Sequence, residues 1–418
     1  MIILSKLFNK FDKIHINRNE DGINMIDRPL LAGVMILLTL SLVMSYSLST
    51  YTVLHFGYSD FHFFMRQSMA VFLGFLTMVV LSKLNPEIWF SRIGLFLFLF
   101  FFLLMGVMQV LPSSLVNAVG GAKRWIHLGP LSIAPVEFFK VGFVFFLAWS
   151  FSRKAFNTSK MSYFEELKSF SPYLFVFIFA VVLIAIFQKD LGQVVVLATT
   201  LMVLFLFIGS SWKFFLTLVA GGLMALVALI FVAPHRMARI KSWWTTVQDS
   251  LLSLVPLDSV QALRVESTVK EPWQISNSLN AIHNGGFFGQ GLGNGQFKLG
   301  YLSEVHTDFI LAGITEELGF LGLFFVVATL LFVVFRIFVV ASKVQKSMYY
   351  LFCIGVGLLI VGAFLLNAYG IAGMTPIKGI AVPFLSYGGS HILALCIAIG
   401  MVLMISKTMP RDSHGRLL

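Results

Sequence analysis

Ten long apolar runs govern what this chain can become. They fall at roughly 30–50, 63–82, 93–111, 135–152, 172–187, 191–209, 213–233, 308–340, 349–370 and 384–406. About 20 apolar residues in helical form match the hydrocarbon thickness of a bilayer, and a helix satisfies its own backbone polar groups there. Of the 418 residues 58% are hydrophobic, 45 are Phe, and only 12% are charged. A soluble domain has no way to bury that much apolar surface. The reading is an all-α polytopic membrane protein of about ten transmembrane helices.

The net charge of +11 does not point to nucleic acid, because most basic residues flank apolar runs as the positive-inside bias requires. Lys6, Lys10, Lys13, Arg18 and Arg28 precede the first run. Arg153, Lys154, Lys160 and Lys168 lie in one loop, Lys343 and Lys346 in another, and Lys407, Arg411 and Arg416 follow the last run. All fall on one side, which is therefore expected to be cytoplasmic. This divides the chain into a cytoplasmic tail (1–29), a ten-span membrane domain (30–406) and a cytoplasmic tail (407–418). A large outer loop, 234–307, lies between spans 7 and 8. Residues 1–28 show no secretory signal. Their apolar residues recur at helical spacing with lysines between, which suits either a short surface helix or a disordered tail. Cys353 and Cys396 sit inside apolar runs, and the nine His show no metal-ligand spacing.

The most informative stretch starts at Asn284-Gly-Gly-Phe-Phe-Gly-Gln-Gly-Leu-Gly-Asn-Gly295. It continues through Tyr301-Leu-Ser-Glu-Val-His-Thr-Asp308 into an apolar run with Glu316 and Glu317. Glycines permit close backbone approach and positive φ. A carboxylate at the junction, Asp308, is costly against lipid and is expected to face a wet cleft or a partner. If the helix starts at Asp308, Glu316 falls about 80° round and roughly 12 Å deeper, with Glu317 on the opposite side. A reaction site and a capped helix with two buried structural acids both satisfy these residues.

Other charges fall on the outer side against the topological bias. Arg124 adjoins Trp125 in Gly-Gly-Ala-Lys-Arg-Trp. Glu137 and Lys140 share a helix face behind Pro135, either as a self-neutralised pair or as substrate contacts. Asp190 lies in a tight turn. Arg236 and Arg239, one helical turn apart and followed by Trp243 and Trp244, suit an interfacial phosphate contact. Lys378 lies in Thr375-Pro-Ile-Lys-Gly-Ile-Ala-Val-Pro-Phe-Leu-Ser-Tyr-Gly-Gly-Ser390. That segment is too rich in Pro and Gly to be helical, so at membrane depth it must be buried in protein or line a cavity. Residues 250–272 read as a loop or a short amphipathic helix.

Several of these stretches together resemble the SEDS family (shape, elongation, division and sporulation). They are Gly-Ala-Lys-Arg-Trp-Ile at 121–126, Pro-Val-Glu-Phe-Phe-Lys at 135–140, Asp-Leu-Gly at 190–192 and Gly-Gln-Gly-Leu-Gly-Asn at 289–294. The match continues with His-Thr-Asp-Phe-Ile at 306–310, Glu-Glu-Leu-Gly at 316–319 and Pro-Phe-Leu-Ser-Tyr-Gly-Gly-Ser at 383–390. Gly-Leu-Gly-Asn and Ile-Lys-Gly-Ile are more similar to the cell-division branch than to the elongation branch. Lys189, where a proline often stands, His391, where serine is usual, and a longer 244–273 loop depart from the family pattern.

The resemblance implies a peptidoglycan glycosyltransferase that polymerises lipid II during septal wall synthesis. It would work in the bacterial inner membrane at the division septum, beside a single-span penicillin-binding transpeptidase and other division proteins. Asp308 would be the catalytic base, with Arg124, Glu137, Lys140, Asp190 and Lys378 lining the substrate site and Arg236 and Arg239 as weaker candidates. No cofactor is certain, no metal site is assigned, and a divalent cation, Mg2+ or Mn2+, is left open at the leaving diphosphate. A lipid II flippase and a non-catalytic scaffold are the alternatives.

Overall fold

The computed structural model describes residues 25–116, 118, 121–128, 131–153, 162–252, 273–376 and 379–410. The readings for the 1–24 tail, the 253–272 stretch and Lys378 lie outside them. Each expected span holds a helix. These are α1 (Arg28–Leu48), α3 (His62–Lys83), α4 (Pro86–Val107), α5 (Pro135–Arg153) and α6 (Tyr163–Val181). They continue with α7 (Leu191–Phe207), α8 (Trp212–Phe231), α11 (Ile310–Lys343), α12 (Ser347–Ile371) and α13 (Gly389–Ser406). Among the described residues nine helices are long and apolar enough to cross a membrane, counting α6 with the π-helical segment Val182–Phe187 that follows it. The tenth, α7, has 17 residues, short for a perpendicular crossing.

The sequence reading did not contain α2 (Thr50–Phe56) or a hairpin of β1 (Ile126–Leu128) and β2 (Leu131–Ile133). The 234–307 segment is less loop-like than expected. It carries α9 (Pro234–Leu252) and α10 (Trp273–Gly285).

The bundle is tied at one end by charge. Arg336 on α11 forks onto Asp27, with Nη2–Oδ2 at 2.5 Å and Nε–Oδ1 at 3.3 Å, and Asp27 also caps α1 through Leu30 N. The Asp27 amide donates to Ser406 Oγ at 3.0 Å. The start of the first span and the end of the last therefore lie together.

Helix α11 is broken. Gly319 has φ 70° and ψ −171°, a region open essentially to glycine alone. The break orphans carbonyls on one side and amides on the other, and the glycine-rich loop supplies their partners. The amides of Gln290 and Gly291 donate to the carbonyls of Glu316 and Glu317, each at 2.9 Å. The carbonyls of Gly286 and Phe287 accept from the amides of Phe320 (2.9 Å) and Leu321 (3.2 Å). A Cβ on Gly285, Gly289 or Gly319 would overlap backbone of the opposite segment.

Candidate functional site

Asp308 precedes the short first half of α11, which begins at Ile310 rather than at Asp308. Its main chain is held from three sides. Asn367 Nδ2 donates to the Asp308 carbonyl at 2.6 Å and to Ile380 O at 2.7 Å. Ser386 Oγ donates to the Thr307 carbonyl at 2.6 Å, and the Tyr387 amide to the His306 carbonyl at 2.8 Å. Asn367 lies on α12, whereas Ser386 and Tyr387 lie in the Pro- and Gly-rich segment, which is non-helical where described and is itself pinned from α1 and α3. Ser41 Oγ donates to Leu385 O at 2.7 Å, and Gln67 bonds Ser41 Oγ (2.8 Å), Ser386 O (3.4 Å) and the Gly388 amide (3.2 Å). Irregular backbone at membrane depth requires such satisfaction.

These contacts correct the expected depth of the acids. The segment bonded to Thr307 meets α1 at Ser41, whereas Glu317 meets it at Ser47. Six residues of helix are about 9 Å, so the chain runs from Asp308 away from the Asp27 end, and Glu317 lies further along, not deeper. Glu316 and Glu317 are both buried and both structural. Glu316 Oε1 accepts from Gln296 N (2.6 Å), Phe297 N (3.1 Å) and Asn284 Nδ2 (3.0 Å), tying down the glycine-rich loop. Glu317 pairs with the buried ammonium of Lys298 at 2.7 Å and accepts from Ser47 Oγ at 2.6 Å. The sequence reading assigned Lys298 no role. Its only signal was a charge next to a run of glycines.

Of the expected charges, Asp190, Arg124 and Arg239 bear on Asp308. Burial, then the charges of Glu304 and Asp190, push its carboxyl up to about 6, against the opposing pull of Arg124 and Arg239. Burial also raises Asp190, while the Arg124 guanidinium works against it. Asp190 caps α7 by accepting from Gln193 N at 3.2 Å. Gln193 in turn bridges the pair on α5, its Oε1 accepting from Lys140 Nζ at 2.7 Å and its Nε2 donating to Glu137 Oε1 at 3.1 Å. Lys140 and Glu137 are 2.9 Å apart, and His391 Nδ1 lies 2.8 Å from Glu137 Oε2. The departure at His391 thus adds a third partner to Glu137.

The three arginines behave differently. Arg124 donates to the carbonyls of Gln188 (2.8 Å) and Lys189 (3.1 Å), fixing the turn that presents Asp190. Arg236 is buried and donates to Leu229 O at 2.6 Å and to Ala185 O in the π-helical segment. Its guanidinium is engaged by protein, whereas Arg239 is exposed and acts on Asp308 through its charge. Lys378 lies outside the described residues, but its neighbour Gly379 adjoins Asp308, with 3.1 Å from a built Cβ to Oδ2. Among the described residues no three His, Cys, Asp or Glu side chains are grouped to hold a metal ion.

A membrane bundle with a broken helix, closed by a glycine-rich loop and carrying an acid–base cluster ahead of that helix, defines the class of protein. The model of the cell cycle protein family that groups FtsW, RodA and SpoVE matches residues 28–410. The chain belongs to this family, the SEDS proteins, and its relatives place it in the FtsW branch. The probable peptidoglycan glycosyltransferase FtsW of Helicobacter pylori is 48% identical over 385 residues, covering 91% of this chain and 98% of that protein. The protein of the same name from Escherichia coli O6:H1 is 33% identical over 394 residues, covering 93% and 87%. Two solved structures share the fold. A chain of a peptidoglycan synthase complex, described for coordination of polymerization and crosslinking, matches at TM-score 0.66 and 22% identity, over 91% of this chain and 97% of that one. The rod shape determining protein RodA of Thermus thermophilus matches at 0.63 and 21%, over 93% and 98%.

Proposed function

We propose that this chain is a peptidoglycan glycosyltransferase that polymerises lipid II during septal wall synthesis. The 4-hydroxyl of an acceptor GlcNAc attacks C1 of a donor MurNAc, and the polyprenyl diphosphate leaves. The bond forms at the acceptor oxygen as its O–H proton passes to a base, and the leaving electron pair goes to the diphosphate. An α-linked donor then gives a β-linked product.

The observation that carries this reading is Asp308. Its backbone is fixed by Asn367 and Ser386, and burial pushes its carboxyl up to about 6. A general base works best when its pKa lies near the operating pH. Positive charge for the diphosphate would come from Arg124, Arg239, Lys140 and Lys378. Arg236 is reassigned from substrate contact to support of the Asp190 turn. Glu137 orients Lys140, and the carbonyls of Gln188 and Lys189 orient Arg124. The site end of the bundle would face the extracytoplasmic side, with both termini cytoplasmic. A single-span penicillin-binding transpeptidase would accompany the chain at the septum.

Purified protein with fluorescent lipid II tests the reading. Glycan polymer supports it. Translocation without polymer would favour the flippase reading, and neither activity would favour the scaffold.

A further inference from the structure

Ser386 and His391 lie close together in the chain and are bonded to different parts of the site. Ser386 Oγ donates to the Thr307 carbonyl at 2.6 Å, and the Tyr387 amide to the His306 carbonyl at 2.8 Å. These bonds set the register of Asp308. A few residues on, Ser390 Oγ accepts from the Ala134 amide and donates to the Ser132 carbonyl, each at 3.0 Å. His391 Nδ1 lies 2.8 Å from Glu137 Oε2, the same oxygen that holds Lys140 Nζ at 2.9 Å. The Gly388 amide between them donates to Gln67 Oε1 at 3.2 Å. One short, pinned stretch of main chain therefore joins the base to the corner of β2 and α5 that carries Lys140.

His391 is buried, and its bonding is one-sided. A carboxylate only accepts, so Nδ1 donates to Glu137. Nε2 is buried with no hydrogen-bond partner among the described residues, so the ring is oriented through Nδ1. Glu137 Oε1 accepts from Gln193 Nε2 at 3.1 Å. Both carboxylate oxygens are thus engaged, by donors from α5, α7 and α13. Lys140 Nζ uses two of its three donors, on Glu137 Oε2 and Gln193 Oε1, and keeps one. Serine, usual at position 391 in the family, has no ring nitrogen at that reach, so the contact belongs to this chain.

We propose that His391 is a positioning residue: through Glu137 it holds the Lys140 ammonium in a fixed relation to the Asp308 carboxyl. The inference rests on the polymerase reading, in which these two groups serve opposite ends of one displacement. Asp308 takes the acceptor hydroxyl proton as the new bond to C1 forms. Lys140 meets the charge that gathers on the diphosphate oxygen as the old bond from C1 breaks. His391 touches neither reactant and transfers no proton.

The test uses the full-length chain with fluorescent lipid II and compares His391→Asn, His391→Gln and His391→Leu with wild type. The Asn amide takes the place of Nδ1, the Gln amide that of Nε2, and Leu fills the space without a donor. His391→Asn should keep kcat within about threefold of wild type, while Gln and Leu lose on the order of tenfold, short of the roughly hundredfold that a 1 Å misplacement can cost. KM for lipid II should move less than kcat, because the lost interaction is one made in the transition state. A packing role reverses the ranking: Leu would match wild type, and Asn, which leaves a cavity, would be worse in both melting temperature and rate. That reversed ranking, equal kcat in all four proteins, or a change in KM alone would overturn the proposal. If His391→Leu does not fold, Asn against Gln decides in the same way. Absence of polymer from wild type would sink the polymerase reading and this proposal with it, whereas wild-type polymer with the wrong ranking sinks this proposal alone.

Discussion

Ser386 and Thr307, 79 positions apart, are joined by a 2.6 Å hydrogen bond from the serine hydroxyl to the threonine carbonyl. The same hydroxyl accepts from the Val382 amide at 2.8 Å. One buried oxygen thus locks the non-helical segment to the residue before Asp308. Ser386→Ala leaves two backbone groups unpaired, each costing about 1–3 kcal/mol, and frees the register of Asp308. Misplacement by about 1 Å can cost on the order of a hundred-fold in rate. Melting in detergent and initial polymerisation rate, measured side by side, should show the rate falling further than the stability alone explains.

Lys298 and Glu317 form a buried pair whose partners cannot be removed singly. Glu317→Ala leaves an ammonium without its counter-ion beneath the glycine-rich loop, and breaking such a pair costs about 3–5 kcal/mol. Lys298→Met combined with Glu317→Leu removes both charges and should recover most of the loss. Thermal melting of the two single variants and the double variant measures this. A single variant as stable as wild type would remove these residues from the scaffold.

Arg236 and Arg239 should separate cleanly. Arg236→Gln strips a buried clamp from the carbonyls of Leu229 and Ala185, so it lowers melting temperature by the equivalent of about 1–3 kcal/mol. Arg239→Gln leaves stability alone and raises KM for lipid II. The KM effect fades with added salt, because the charge is exposed and screened.

Asp308 makes a claim about pH. Its carboxyl is raised from 3.8 to about 6 in the folded chain, so folding favours the protonated form. The stability this contributes is full below 3.8 and is lost as pH rises through about 6. Asp308→Asn should therefore be more stable than wild type at pH 7, by roughly 1–3 kcal/mol, and the gap should close as pH falls towards 4. Wild-type polymerisation runs the other way and rises with pH through about 6, because the base must be ionised. Melting curves and rates across that range check both slopes.

The spans were legible because apolar length is a one-dimensional signal, and all ten runs became helices. The charged motif residues were legible for a similar reason. A charge such as Lys140 or Asp190 inside an apolar stretch is conspicuous, and its burial cost requires partners. What escaped were properties set by contacts distant in sequence. Helical spacing placed Glu316 below Asp308, but the bond of Glu317 to Ser47 sets these acids nearer the Leu48 end of α1 than the segment bonded to Thr307. Nothing local distinguishes Arg236 from Arg239 as the one whose guanidinium meets Ala185 O. Lys298, Asn367, Ser386 and Gln67 were given no role of their own because single polar residues gain their meaning from a backbone group far along the chain. The β1–β2 hairpin is two three-residue strands, too short to show alternation.

The central claim is that Asp308 is the base, and Asp308→Asn tests it. Asparagine keeps size and hydrogen bonding but takes no full proton, so polymerisation should fall about a hundred- to ten-thousand-fold while the protein stays folded and inserted. A capping role predicts instead that Asn is nearly harmless and Ala costs about 1 kcal/mol of stability. The decisive measurement is the polymer length distribution from wild type and Asp308→Asn, each with equal partner transpeptidase. Loss of polymer from a folded variant is the predicted result. Near-normal polymer would contradict it, and Asp190 would be the next acid to test.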